Sequence, residues 1–425
     1  MNRREFIQKG ALATAGLVTS LHMPAFNTQS RKVKIGVIGA GWYGMVVAKV
    51  ALQTGDVNIA AVCDVDTEHL KKSANELNSL QGSKPREFTD YRELLEMKGL
   101  DAVIIGTPPH WHALQFVAAC KKGLHIYCEK PLSYDVEEGK AMVKAVKEAG
   151  NIVQIGFQRR QSAAFQKARH MIEDGTMGKI HQIGAQIHYR PSHRDTTIQQ
   201  PPASLDWDAW CGPAPKLPYN PNIAHMAWRL EKEYGNGHLV DWGIHNIDII
   251  RTVMDFDLPS SYQSHGSLDI LKDKITTPDT LYSKMMFDDC PVIWQHRLWG
   301  PGDINPRYNN GVFFYGEKGT LFASDDRLVL VSGRNREQVI DIPTPNQQEK
   351  HVANFVEAVK TRNKALISCT TEDAWKSTTA VQLAMVSYYT ESEVKWDNAA
   401  QTVIDNEAAL KQMARNYRAG YTRPV

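Results

Sequence analysis

The chain has 425 residues, of which 42% are hydrophobic and 23% are charged, with a net charge of +2 at neutral pH. This length favours two domains, and the composition is ordinary for a soluble globular protein. The near-neutral charge, with acids and bases intermixed, gives no support to a nucleic-acid partner or to binding at an anionic membrane surface.

The first 30 residues (1–30) are predicted to be a signal segment of the twin-arginine type rather than part of the fold. An Arg-Arg pair at positions 3 and 4 precedes the apolar run ALATAGLVTSL and the helix-breaking MPAF. This order of charged, apolar and cleavage-like regions predicts export to the periplasm. Met23 spoils the usual small-residue cleavage pattern, so an uncleaved tether stays open. No later run is long and apolar enough to span a membrane.

Residues 31–158 are predicted to form an α/β domain with a doubly wound parallel sheet, the Rossmann fold. Five short apolar runs alternate with amphipathic helical segments: VKIGVIG, VNIAAVCD, DAVIIGT, HIYCEK and IVQIGF. Continuous apolar strands separated by helices are typical of a parallel sheet that is covered on both faces.

The segment VIGAGWYG joins the first strand to the first helix of this domain. Its three glycines permit a tight turn (Gly39), the close approach of a pyrophosphate (Gly41) and the close packing of helix on strand (Gly44). The helix N-terminus adds N–H donors and the positive end of a dipole. We therefore predict a dinucleotide-binding loop, which includes Trp42 and Tyr43.

The second strand ends in CDVD. Asp64 lies at the distance along the chain from the glycines where a carboxylate accepts hydrogen bonds from the adenosine ribose diol. Together with Asp66 it would repel a 2′-phosphate, so the sequence favours NAD over NADP.

Two further loops follow the fourth and fifth strands, at the edge of the sheet that faces a ligand crevice. The loop TPPHWH, from Thr107 to His112, is predicted to lie over the cofactor, although His112 also fits a plain helix N-terminal residue. In YCEKP, Glu129 and Lys130 precede the rigid Pro131. Lys130 is a candidate for a desolvated amine that polarises a hydroxyl or carbonyl near the nicotinamide.

Residues 159–425 are predicted to form a second domain, of α+β type, with a large and mainly antiparallel sheet. Segments such as KIHQIGAQIHYR, TLYSKMMF and PVIWQHRLW have the alternation of half-exposed strands. A helix over residues 239–253 is expected to cross this sheet, and three more helices follow in the tail, the last over NEAALKQMARNYR. Arg160, at the domain junction, is a candidate for substrate contact, with a purely structural hinge role left open.

The stretch LVDWGIHNID combines an apolar helix with titratable groups. Asp241, His245 and Asp248 recur at i, i+4 and i+7, which places them on one helix face. Two interpretations account for this spacing. Either these side chains face a cleft, or they form a buried pair whose hydrogen bonds are satisfied within the protein. Just before it, Trp228 and Arg229 offer a ring that stacks on a sugar and a donor for its hydroxyls.

No metal site is predicted from the sequence. His181, His188 and His193 lack flanking carboxylates at a fixed spacing. The cysteines are scattered without a CxxC pair, which favours buried thiols and leaves a disulfide open: Cys63, Cys120, Cys128, Cys211, Cys290 and Cys369.

From Val33 to the C-terminus, this combination of motifs resembles the Gfo/Idh/MocA oxidoreductase family. The segments DWDAWCGPAP and NYRAGYTRP are similar to its exported, glucose–fructose oxidoreductase-like branch. The resemblance implies that Lys130, Asp241 and His245 converge at the nicotinamide. His245 would take the hydroxyl proton as general acid–base while hydride passes to NAD, Lys130 would share the proton relay, and Asp241 would orient the substrate and tune His245.

The function so indicated is an NAD-dependent dehydrogenase that oxidises a secondary hydroxyl of a pyranose, a glycoside or a polyol, with NAD held tightly. Two alternatives stay open. One is an NAD-dependent glycoside hydrolase that works by transient oxidation and elimination, which the presence of Lys130 disfavours. The other is a non-catalytic NAD-binding sensor. The resemblance also implies a homodimer or homotetramer that associates through the exposed face of the large sheet.

Overall fold

The computed structural model describes residues 31–301, 305–334 and 336–425. The predicted signal segment at residues 1–30 therefore lies outside the described residues. Within the described ranges, the helices are all too short or too polar to cross a membrane. The six cysteines are all buried and free.

The first sheet has six parallel strands in the order β3-β2-β1-β4-β5-β6. Its strands are β1 (Val33–Ile38), β2 (Val57–Cys63), β3 (Arg86–Phe88), β4 (Ala102–Ile105), β5 (His125–Cys128) and β6 (Val153–Ile155). The strand order reverses between β1 and β4, and in such sheets the ligand crevice lies there, beyond the carboxyl ends of the strands. The predicted Rossmann fold is confirmed.

Helices cover both faces of this sheet: α1 (Trp42–Gln53), α2 (Thr67–Gln81), α3 (Tyr91–Leu95), α4 (Pro109–Lys121) and α5 (Val136–Ala149). Asp66, Asp90 and Asp135 begin α2, α3 and α5, and each carboxylate accepts a backbone N–H of the first turn. Such caps satisfy donors that a helix cannot satisfy itself, and they fix where each helix starts.

The second sheet has ten strands in the order β14-β13-β12-β11-β7-β10-β9-β8-β15-β16. All neighbours pair antiparallel except β7 and β10. The strands are β7 (Ile180–Gln186), β8 (Ser261–Ser267), β9 (Thr280–Phe287), β10 (Cys290–Arg297), β11 (Gly311–Gly316), β12 (Gly319–Ala323), β13 (Arg327–Ser332), β14 (Arg336–Asp341), β15 (Val394–Asp397) and β16 (Thr402–Ile404). Burial alternates along β10, as expected when one face packs on a core.

The remaining helices are α6 (Ala163–Glu173), α7 (Trp207–Cys211), α8 (Ile244–Met254), α9 (Gln347–Thr361), α10 (Thr371–Tyr389) and α11 (Glu407–Lys411). Helix α9 packs back on the first sheet, where Val352, Phe355 and Val356 share a core with β1. Two predicted helices need correction. The predicted tail helix is helical only over Glu407–Lys411, and the helix expected at residues 239–253 begins as a π-helical turn over Leu239–Gly243.

The connection between β7 and this π-turn, residues 187–238, is called the strap below. It has a small core of its own, in which the rings of Trp207 and Trp210 stack 4.7 Å apart. These two tryptophans therefore belong to a local core of the strap. The strap pairs with the carboxyl end of β2, since Thr67 N donates to Ser204 O at 2.9 Å and Asp206 N to Val65 O at 3.1 Å.

Candidate active site

The glycine-rich loop has the geometry that a dinucleotide needs. Gly39 has φ +83°, and a Cβ there would lie 2.7 Å from Thr107 N. A Cβ on Gly44 would lie 2.0 Å from Gly39 O, so only glycine lets α1 pack this closely on β1. Around Gly41, in contrast, the nearest atom to such a Cβ is His69 Nδ1 at 4.0 Å. The open space therefore lies beside Gly41, the glycine whose backbone a pyrophosphate would approach.

A cleft of about 980 Å³ runs along the carboxyl edge of the first sheet. The predicted cofactor residues that line it are Gly39, Gly41, Trp42, Tyr43, Asp64 and Thr107. The strap supplies part of the opposite wall with Trp210, Trp228 and Arg229, and the tail adds Tyr421. The Trp42 ring is 55% exposed, whereas the Tyr43 hydroxyl accepts from Gln158 and donates to Gln348 at 3.0 Å.

Asp64 lies in the cleft, as predicted, but Asp66 does not share its role. The carboxylate of Asp64 accepts the N–H of Asp66 at 3.0 Å, and burial raises the pKa of Asp64. The carboxylate of Asp66 caps α2 through Glu68 N at 2.9 Å and contacts His225 Nε2 at 2.9 Å. Asp64 is therefore the carboxylate that would repel the 2′-phosphate of NADP.

Lys130 and Arg229 converge on Asp241. Lys130 Nζ lies 3.0 Å from Asp241 Oδ1 and 2.7 Å from its carbonyl oxygen, and Arg229 Nε lies 3.2 Å from Oδ2. Burial alone would raise the pKa of Asp241, but the charges of Lys130 and Arg229 outweigh it and hold that pKa below its ordinary value. Arg229 also lies 4.6 Å from the Trp228 ring centroid. The set forms a charged cluster around a buried carboxylate, and it joins the end of β5, the strap and the π-turn.

His245 lies on the first turn of α8 and is 6% exposed. Burial lowers its pKa well below 6.5, and the charges of Lys130 and Arg159 lower that pKa further. Among the described residues, none forms a hydrogen bond with its buried Nδ1. Its ring is therefore neutral at pH 7 and able to accept a proton.

Glu129 and His112 are buried behind the cleft. Burial raises the pKa of Glu129 to about 7, and its carboxylate lies against Gly156, where a Cβ would come within 2.6 Å. The two ring nitrogens of His112 lie 2.8 Å from the carbonyl oxygens of Thr107 and Pro131. The ring of His112 therefore ties the two cleft loops together, and its contact with the cofactor stays a prediction.

Arg160 and Asp248 do not take part in the cleft. Arg160 Nε donates to Asp248 Oδ2 at 2.8 Å, and its Nη1 reaches Asp373 and Ser368 O. Its side chain is 6% exposed. The predicted substrate contact at Arg160 is therefore corrected in favour of the hinge role, and Asp248 leaves the stripe formed by Asp241 and His245.

Sequence reasoning missed a cluster at the mouth of the cleft. Asp66, His69 and His225 bring three possible metal-ligand atoms within 4.8 Å of one another. Asp66 and His69 form a D-x-x-H motif in the sequence, but nothing in the sequence indicates that His225 lies next to them. Arg159, beside His245, was also missed, since its side chain bonds Asn246 and Asn310 on distant segments.

Comparisons with known proteins agree with this fold. The model of an oxidoreductase family with an NAD-binding Rossmann fold matches residues 33–157, and the model of that family's C-terminal α/β domain matches residues 183–423. Similar proteins include a myo-inositol 2-dehydrogenase of Thermotoga maritima, 25% identical over 70% of this chain and 77% of the relative. Another is a glycosyl hydrolase family 109 protein of Stenotrophomonas maltophilia, 28% identical over 54% of this chain and 50% of the relative.

The fold is shared with solved structures. A levoglucosan dehydrogenase in complex with NADH and levoglucosan superposes with a TM-score of 0.67, over 86% of this chain and 99% of that chain, at 20% identity.

Proposed function

The chain belongs to the Gfo/Idh/MocA oxidoreductase family, with its NAD-binding Rossmann domain, and from that membership we propose that it is a sugar or polyol dehydrogenase. Its substrate is a secondary hydroxyl of a pyranose, a glycoside or a related polyol. The relatives named as inositol dehydrogenases and the neighbour named as levoglucosan dehydrogenase support this substrate class.

One observation carries the proposal: a partly buried ammonium lies beside a buried carboxylate beyond the carboxyl end of β5, and a neutral imidazole follows that carboxylate in the next helical turn. Lys130 contacts Asp241 at 3.0 Å, and His245 follows Asp241 by one turn. The pKa of His245 is depressed by burial, so its ring is a base at neutral pH. A sensor that only binds NAD needs no such pairing of proton acceptor and donor.

Each residue has a separate part in the oxidation. His245 accepts the proton of the substrate hydroxyl, and the Lys130 ammonium donates a hydrogen bond to the same oxygen as it gains negative charge. Asp241 fixes the position of Lys130, and Arg229 holds Asp241 in place. The bound nicotinamide supplies the acceptor for the hydride that leaves the carbon. The alcohol thus becomes a ketone by losing one proton and one hydride.

One observation supports tight retention of NAD: residues of the strap and of the tail line the cleft together with the glycine-rich loop. A retained cofactor would be reoxidised by a second carbonyl substrate.

A second function is favoured by one comparison, the similarity to the glycosyl hydrolase family 109 protein. In that alternative the chain oxidises a glycoside transiently to a ketone, and loss of the neighbouring proton eliminates the aglycone. Water then adds to the double bond that forms, and the hydride returns to the ketone. The buried Lys130–Asp241 pair stabilises an oxyanion equally well in either reaction, so product analysis has to separate them.

The test uses protein purified without added cofactor. Its absorbance spectrum is recorded, and glucosides, galactosides, N-acetylated sugars and inositol are added one at a time. NADH absorbance that rises with an intact glycosidic bond, and that is lost in His245→Ala, supports the dehydrogenase. His170→Ala, on the exposed face of α6, is the matched control. Steady release of free sugar without build-up of NADH would instead establish the hydrolase.

We also propose a homodimer or homotetramer, and export by the twin-arginine route. The open face of the ten-stranded sheet carries Tyr282 and Tyr315, which are 55% and 38% exposed, with Ile293 and Phe313 partly exposed between them. Such an apolar face favours association, and light scattering of Tyr282→Lys against wild type tests it. Export is tested by replacing Arg3 and Arg4 with lysine and locating the protein in cell fractions.

A further inference from the structure

Three side chains that are typical metal ligands meet where the strap crosses the start of α2. Asp66 follows β2, His69 lies in the first turn of α2, and His225 comes from the strap. One ligand atom of each lies within 4.8 Å of the other two. The two histidines also line the cofactor cleft, so the cluster opens toward it.

The carboxylate of Asp66 is already oriented. Its Oδ1 accepts the N–H groups of Glu68 and His69 at 2.9 and 3.4 Å, which leaves Oδ2 directed at His225 Nε2, 2.9 Å away. Hydrogen bonds of this kind hold ligating carboxylates in place in metal sites. The His69 and His225 rings lie 4.4 Å apart between centroids at an interplanar angle of 34°.

We propose that Asp66, His69 and His225 bind a divalent transition-metal cation of the zinc class. Two imidazole nitrogens and one carboxylate oxygen are ligands that this class prefers. The cation would replace the proton between Asp66 Oδ2 and His225 Nε2, as metal binding commonly does. Three protein ligands leave a coordination position for water or for an oxygen of the cofactor.

The placement of the cluster gives the cation a function. It joins the strap to α2 next to the bond from Thr67 N to Ser204 O. It also lies beside the phosphate-binding loop, because His69 Nδ1 is 4.0 Å from the position of a Cβ on Gly41. A cation there holds the strap closed and attracts the diphosphate. Zinc and NAD therefore increase each other's affinity, as linkage requires.

The experiment treats the full chain with chelator and titrates it with zinc chloride alone, against a competing dye, without substrate. We expect one zinc per chain, and binding at least about tenfold weaker in His69→Ala and in His225→Ala. His181→Ala, an exposed histidine beside Glu317 on the second sheet, is the matched control and binds zinc like wild type. Asp66 is left unchanged because it caps α2, and circular dichroism confirms that each variant is folded.

A second titration measures the NAD dissociation constant with and without zinc. We expect zinc to lower it by about fivefold or more in wild type and to leave it unchanged in His225→Ala. Wild type that binds zinc no more tightly than the two variants would overturn the proposed site. Tight zinc binding without any effect on NAD would overturn its role in holding the strap. This second titration depends on NAD binding, whereas the zinc titration stands even if the proposed dehydrogenase activity fails.

Discussion

At the scale of single residues, Gly41 and Gly44 form a matched pair that separates cofactor binding from folding. Gly41 has φ −75° and open space around a Cβ, so Gly41→Ala is expected to change the free energy of unfolding by less than about 1 kcal/mol. Its methyl group lies where the diphosphate approaches, and we expect NAD to bind at least about tenfold more weakly. Calorimetric titration with NAD and thermal unfolding measure the two effects.

Gly44→Ala is expected to affect folding rather than the approach of the diphosphate. Its Cβ would lie 2.0 Å from Gly39 O, a backbone atom that cannot give way, so the protein should lose at least about 1–3 kcal/mol of stability. A Gly44→Ala protein as stable as wild type, or a Gly41→Ala protein with normal NAD affinity, would contradict the assigned loop geometry.

The pH dependence of catalysis tests whether His245 is the base, as proposed. The base must be neutral, and burial holds its pKa well below 6.5, so kcat/KM should fall with acid only below that value. A profile from about pH 4.5 to about pH 9 measures this limb. Since the pKa of Glu129 is raised to about 7, Glu129→Gln is recorded as well, to remove any contribution of that group. An acid limb centred above pH 6.5 that persists in Glu129→Gln would exclude His245 as the base.

Several site residues were predictable because their chemistry is local in the sequence. The glycines, Asp64 and Lys130 each follow a strand that the apolar pattern reveals, and strand ends meet at one edge of a parallel sheet. Roles that depend on a distant partner were not predictable. The ring of His112 is held by the carbonyl oxygen of Pro131, and the carboxylate of Asp66 is held by His225. Neither contact can be inferred from the spacing of residues along the chain.

At the scale of elements, the π-turn explains why the predicted polar stripe is incomplete. The spacing of Asp241, His245 and Asp248 was interpreted with an α-helical period, but Leu239–Gly243 forms a wider turn. Asp241, on the π-turn, contacts Lys130 and Arg229, whereas Asp248, on α8, contacts Arg160. Sequence periodicity locates such a helix but does not reveal a π-turn inside it. Strand β3 was not predicted, because a strand of three residues is too short to show an alternating pattern.

The strap is the element that should control how fast NAD leaves. Its helix α7 is fastened to the tail by Arg418, which donates to the Asp208 carboxylate at 2.7 Å and to Gly212 O at 3.0 Å without lining the cleft itself. In Arg418→Ala we expect NAD to dissociate up to about fivefold faster, because about 1 kcal/mol of strap stability is lost. Stopped-flow displacement of bound NAD measures the rate.

Arg307→Ala is the control for Arg418→Ala, since Arg307 forms an exposed ion pair with Glu337 on β14. Equal dissociation rates in the two variants would show that the strap does not limit release of NAD.

At the scale of the whole molecule, the two sheets are joined by a buried ionic network as well as by apolar packing. Arg160 follows the first sheet, Asp248 lies on α8, and Asp373 lies at the start of α10. Arg251 completes the network with Asp373 Oδ1 at 3.1 Å and Ser377 Oγ at 2.7 Å. Two cations thus balance two anions where the parts of the molecule meet, so removing one charge leaves a buried partner uncompensated.

Arg160→Met tests whether this network is structural. Asp248 is 1% exposed and would lose its cationic partner, so the free energy of unfolding should fall by about 3–5 kcal/mol. The catalytic residues do not touch Arg160, so KM for the sugar should stay at the wild-type value in the folded protein. Denaturant unfolding and initial rates, both measured well below the melting temperature, separate the two effects. A raised KM with unchanged stability would reinstate Arg160 as a substrate residue. Loss of stability with an unchanged KM would show that Arg160 holds this junction together without contacting the substrate.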